Sequence, residues 1–165
     1  MAYPTIRINP IRAMGDKVAC ERCISARTRD RGGMAKSSLD DALDAFSSFG
    51  GVIGGDELAE MLRPVRSQPM SWIARLIVNR GIVNFSWHAR TMIPLFQFEG
   101  SELRPRPAVD NAIRELADVY DDEEIACWFA RPNEWLDRAS PLAALATRPE
   151  SLVSAARADR FVARG

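Results

Sequence analysis

The sequence predicts a mainly α-helical chain with one β-hairpin, an α+β fold, and three observations lead there. From Ser37 onward, apolar residues recur at the spacing of a helix that buries one face. Between Ile82 and Phe98 the spacing switches to the alternation of extended strands. Proline, glycine and serine separate these runs, so each element is short and bounded.

Residues 1–36 mix Pro, Gly and Arg without apolar periodicity and are expected to form a flexible basic arm. They hold eight Lys or Arg against three Asp or Glu, whereas residues 101–165 hold nine Arg against twelve acids. Residues 37–53 read as a helix and a linker. A serine cap precedes Asp40 and Asp41, which suit the positive end of a helix dipole, and Leu39, Leu43 and Phe46 share one face. The turn-prone residues 47–51 then lead into the main body.

Residues 54–100 read as one module. Asp56 and Glu57 open a helix, placed where its dipole favours acids, and Pro64 stops it. Pro69 starts a second helix, which runs through Trp72, Ile73 and Leu76 to a C-cap at Gly81. Alternation follows, with Val83, Phe85 and Trp87 on one side and Asn84, Ser86 and His88 on the other. A tight turn at Ala89 and Arg90 leads to a second strand over 91–98. Pro94 places that strand at an edge or bulge, because proline cannot donate to a central ladder.

Residues 101–165 read as a small helical domain. Val109, Ile113, Leu116 and Tyr120 line one helix face, and Asp121 or Asp122 caps a helix that buries Ile125, Trp128 and Phe129. A short turn around Glu134, Trp135 and Leu136 follows. Ser140-Pro141 has the form of a helix start, and Pro149-Glu150 begins the last helix, which carries Leu152, Val153, Ala156 and Phe161.

Charge and motifs limit the chemistry. With 22 basic and 22 acidic residues the chain has no overall footprint for nucleic acid. No apolar run approaches the roughly 20 residues that cross a bilayer. No secretory signal opens the sequence, so a cytoplasmic location and no membrane partner are expected. Cys20 and Cys23 stand alone as a Cys-x-x-Cys pair, short of the four ligands of structural zinc, and Cys127 reads as a core residue. The run Asp121 to Glu124 points around a helix instead of converging on a metal. His88, the sole histidine, has no matching nucleophile and is expected to face solvent or phosphate. Glycine-rich phosphate-binding loops are missing. Neither a cofactor nor a metal is expected, nor catalysis.

The stretch 128–164 instead has the look of a docking surface, with corners at Arg131-Pro132-Asn133 and at 137–141. Trp72, Trp87, Trp128 and Trp135 fall on apolar faces, and Trp135, beside the first corner, is the one suited to anchor a partner.

GGDELAEML, QPMSWIARLIVNRG and IVNFSWHARTMIP, helix, turn, helix and hairpin in order, resemble a winged helix-turn-helix module of the excisionase or MerR type. That resemblance implies DNA contacts from Gln68, Ser71, Arg75, Asn79 and Arg80 on the second helix and from Arg90 on the wing. PLFQF, RPAV, WFARPNEWLDRASPLAAL and ARADRFVARG resemble the Xre/MbcA/ParS antitoxin family, whose pattern falls here on Trp128, Phe129, Pro132, Asn133, Leu136, Pro141 and Leu145.

The family resemblance implies an antitoxin that binds a cognate toxin, commonly of the NAD-consuming RES type, and represses its own operon. Asn133, Trp135, Arg157, Arg160, Arg164 and Gly165 would then meet the toxin, the arginines suiting a cleft built for an anionic dinucleotide. Operator DNA and a homodimer partner are compatible with it. The family often has two glycines after the conserved leucine, where this chain has Asp137-Arg138, so a different turn is expected; a winged form stands in for the larger Xre-type helical domain. Two rivals stay open: a DNA-binding transcriptional regulator without a toxin, and a metal enzyme built on Cys20 and Cys23.

Overall fold

The computed structural model describes residues 39–165. The basic arm and the Cys20–Cys23 pair lie outside the described residues. Within them the chain is mainly helical with small antiparallel sheets, in keeping with the α+β expectation.

Helix α1 (Leu39–Ser47) buries Leu39, Ala42 and Phe46. Strand β1 (Val52–Gly54) follows where the sequence suggests a linker. Three residues flanked by Gly50, Gly51 and Gly55 are too few to show alternation. Helices α2 (Gly55–Leu62) and α3 (Pro69–Val78) come next, then the hairpin of β2 (Phe85–Trp87) and β3 (Arg90–Pro94). Its two turn residues, His88 and Ala89, have φ of 48° and 60°. Left-handed backbone at both positions matches the twist of a two-residue hairpin.

β1 and β2 flank β3, so the proline-bearing strand is central, not an edge. Two features let Pro94 stand there. The Leu95 N–H donates to Gly51 C=O at 2.9 Å, which leaves the preceding Val52–Pro94 pair without hydrogen bonds toward β1. Toward β2, whose pairing has ended, the Gln97 carboxamide takes the place of a strand. Its Oε1 accepts from Val83 N at 2.6 Å, and its Nε2 donates to the carbonyls of Val83 at 2.9 Å and Pro94 at 2.8 Å. The second strand therefore stops at Pro94, and Leu95–Gln97 form a 3-10 turn before β4 (Phe98–Glu99) pairs with β5 (Arg104–Pro105).

The remaining helices are α4 (Pro107–Leu116), α5 (Asp122–Ala130), α6 (Pro141–Thr147) and α7 (Ser151–Arg164), with a 3-10 turn at Glu134–Leu136. Asp121 caps α5 reciprocally with Glu124, each side chain 2.8 Å from the other's backbone N–H, as the acidic run predicts. Ser140 accepts from Ala143 N at 3.2 Å and Pro141 begins α6, again as predicted.

Two apolar clusters hold the chain together. The smaller joins α2 and α3 to the sheet through Leu58, Leu62, Ile73 and Ile93. The larger gathers Phe46, Phe85, Met92, Ile113, Phe129, Leu142 and Leu152, and so draws on segments from both sides of residue 100. Met92 and Ile93 enter different clusters because successive strand residues face opposite ways. Each fully buried Leu, Ile or Phe contributes about 1.5 to 3 kcal/mol. α4 and α7 pack against each other, and Ala112 on the first and Ala155 and Ala156 on the second are buried.

Candidate functional site

Helix α7 places Asp159 beside the corner that precedes α6. Its Oδ2 accepts from Trp128 Nε1 and from Asn133 Nδ2, both at 2.6 Å, and its Oδ1 accepts from Trp135 Nε1 at 2.9 Å. One carboxylate thus ties α5, the corner and α7 together. Asp159 has no local sequence signature, because its donors lie 24 to 31 residues earlier in the chain.

Asn133, expected to meet a partner, is 7 % exposed and fully engaged within the corner. Its Oδ1 caps the 3-10 turn by accepting from Trp135 N at 2.9 Å, its N–H donates to Ala139 O, and its C=O accepts from Leu136 N and Arg138 N. A buried side chain with every polar group satisfied is a structural knot, so that expectation is corrected. Trp135 does remain at the surface, with 57 % of its area exposed. On α7, Phe161 and Val162 are 78 % and 64 % exposed, whereas Leu152 and Ala156 of the same helix are buried.

The corner's backbone is left-handed at two successive positions. Asp137 and Arg138 have φ of 55° and 64°, the left-handed region that glycine enters freely. The conformation is thus the glycine-compatible one, although neither residue is glycine. Of the pattern residues carried over from the family, Trp128, Phe129, Leu136 and Pro141 are buried, Leu145 is half-buried and Pro132 is exposed.

The tail arginines do not stand free. Arg157 Nη2 and Arg160 Nη1 lie 2.8 and 2.5 Å from the two oxygens of Glu115, and Arg164 Nη2 lies 2.9 Å from Asp118 Oδ2. The Arg157 hydrogen bond, aided by the charges of Arg157 and Arg160 and opposed by burial, holds the Glu115 carboxyl below its usual pKa. Gly165 is exposed beyond α7.

Among the residues assigned to DNA, Gln68, Ser71, Arg75 and Asn79 are exposed on or beside α3, and Arg90 is exposed on the hairpin, 3.5 Å from Glu57. Arg80 is not available. It bonds the carbonyls of Ala117 and Tyr120 and the Asp122 carboxylate, bracing α3 against the α4–α5 turn. α3 also exposes Met70 and Val78, the latter by 80 %. His88 is exposed, edge-on to Trp87. Asn84, expected on the polar face, is buried and donates to Asp122 Oδ2 at 3.3 Å.

Among the described residues, no group of three or more His, Cys, Asp or Glu is placed to hold a metal ion. A shallow, open depression is lined by Arg80, Tyr120, Asp122 and their neighbours. No described helix is long and apolar enough to cross a membrane. Compared with protein-family models, with curated proteins and with solved structures, the chain gives no match.

Proposed function

We propose that the chain is a cytoplasmic antitoxin that neutralises a cognate toxin, of the NAD-consuming RES type, by docking the surface built from the 131–141 corner and the end of α7. The observation that carries this reading is Trp135. A tryptophan exposed by 57 %, yet fixed through its indole N–H to Asp159, has the form of a preset anchor. Phe161 and Val162 are exposed as well, near the end of α7.

The corner adds support. Its Asp137 and Arg138 adopt left-handed backbone that glycine enters freely, and glycines are common at this place in the Xre/MbcA/ParS family. The role first assigned to Arg157, Arg160 and Arg164 changes. With Glu115 and Asp118 beside them, three cations face two anions, and apolar contact takes over from charge as the source of affinity. Co-expression with a RES-type toxin encoded beside the chain's gene tests the proposal. Growth arrest should be relieved and the two proteins should co-purify; unrelieved arrest without co-purification rejects it.

A second reading, a DNA-binding regulator, rests on Gln68, Ser71, Arg75 and Asn79, which lie exposed on α3 ahead of a hairpin. Helix, turn, helix and hairpin is the order of a winged helix-turn-helix, in which the second helix enters the major groove. Affinity for operator DNA should fall with rising salt and with Arg75→Ala. Unchanged affinity in Arg75→Ala removes that mechanism.

A further inference from the structure

We infer that Asp159 is the positioning residue that presets Trp135, and that the partner surface covering this indole is an apolar recess with no hydrogen-bond acceptor of its own. The inference rests on the antitoxin reading for the identity of the partner, and on the geometry of three donors for the rest.

A tryptophan buried at an interface normally needs an acceptor for its N–H, because an unpaired buried donor is costly. Here the chain supplies that acceptor itself, Asp159 Oδ1 at 2.9 Å. The exposed remainder of the side chain is hydrocarbon and aromatic face. A complementary pocket therefore needs only aliphatic or aromatic lining, which any wet, polar cleft would fail to provide. Fixing the ring before binding also removes the ordering cost of a free surface side chain, about 0.5 to 1.5 kcal/mol.

The two carboxylate oxygens have different loads, and that makes the idea testable. Oδ2 serves two donors, Trp128 Nε1 and Asn133 Nδ2, while Oδ1 serves Trp135 alone. In Asp159→Asn a single amide oxygen remains. It should stay with the buried pair, since turning the NH2 toward two buried donors leaves both unsatisfied. The NH2 then faces the Trp135 N–H, donor against donor, and the indole is released to water. Loss of the positioning is thus separable from loss of the knot around Trp128 and Asn133.

The four indole N–H signals in a nitrogen-labelled NMR spectrum give the first readout. In Asp159→Asn the Trp135 signal should shift toward that of a solvated indole and exchange with water faster, while Trp128 keeps its position. An unmoved Trp135 signal, or a Trp128 signal displaced as far, overturns the positioning role. Trp135→Phe, which removes the same hydrogen bond and leaves Asp159, Trp128 and Asn133 in place, provides the same comparison for binding if the first variant fails to fold. Titration with an inactive form of the RES-type toxin should show both variants binding about tenfold more weakly than the native chain. Native affinity in both overturns the inference while the antitoxin reading stands. A native chain that does not bind the toxin rejects the antitoxin reading and the assignment of partner, and the NMR comparison still decides the role of Asp159.

Discussion

Arg80 reaches from the end of α3 to the start of α5, where its Nη2 lies 3.0 Å from Asp122 Oδ1 and 2.8 Å from the Tyr120 carbonyl oxygen. The residue sits in left-handed backbone, φ 49°, one step before Gly81, whose N–H closes α3 on the Leu76 carbonyl. A helix end is thereby made into a brace between the two apolar clusters. Arg80→Ala should destabilise the chain by about 1 to 2 kcal/mol, the lower end reflecting a side chain that is one-third exposed. Arg75→Ala, on the open face of α3, should stay within about 0.5 kcal/mol. Urea unfolding of the two variants checks the contrast, and equal losses would remove the brace.

Gln97 offers a sharper case, being 1 % exposed and bonded to three backbone groups of Val83 and Pro94. Gln97→Met keeps the shape and deletes every one of those bonds. The buried Val83 N–H and two carbonyls would be left without partners, at about 1 to 3 kcal/mol for a lost buried partner. A loss of about 3 kcal/mol or more in denaturant unfolding is expected, and one below about 1 kcal/mol would show that water replaces the carboxamide.

How much of this was readable in advance follows the distance over which each interaction acts. Asp121 with Glu124 and Ser140 with Ala143 are local caps, three residues apart, and both were legible. The hairpin was legible because alternation and a tight turn are also local. β1 was not, since its three residues become a strand by pairing with β3, some forty positions later. For the same reason the family resemblance put Asn133 at a partner contact, whereas its actual partner, Asp159, comes from α7. Arg157, Arg160 and Arg164 look free in a sequence because Glu115, on α4, and Asp118, in the turn after it, lie some forty residues earlier. Charge runs reveal composition, and packing decides which charges remain available.

Glu115 predicts a pH dependence with a definite sign. Its folded pKa lies below the ordinary carboxylate value, first because of the Arg157 hydrogen bond and further because of the charges of Arg157 and Arg160, against the opposing effect of burial. A depressed carboxylate contributes stability that is present above the unfolded pKa and is lost as pH falls through the folded one. The native chain should therefore lose stability below about pH 4.5 more steeply than Glu115→Gln, which cannot titrate there. Thermal melts of both between pH 3 and 7, a window of roughly the carboxylate range, make the comparison. Parallel curves would show that the α4–α7 ion pairs add nothing to the fold.

At the corner, backbone conformation and side-chain identity pull apart. Arg138, at φ 64°, occupies a region that costs a residue with a Cβ roughly 1 to 2 kcal/mol, and its ion pair with Glu134, 3.4 Å long and exposed, returns little. Arg138→Gly relieves the strain but frees the unfolded chain, which offsets about 0.4 to 1 kcal/mol. The net effect should be neutral or stabilising by up to about 1 kcal/mol, whereas Ala143→Gly within α6 should cost about 1 kcal/mol. If the corner only needs the left-handed turn to present Trp135, Arg138→Gly should also leave the proposed toxin binding intact. A drop in melting temperature as large as that of Ala143→Gly would mean that the Arg138 side chain, and not the turn, holds the corner in place.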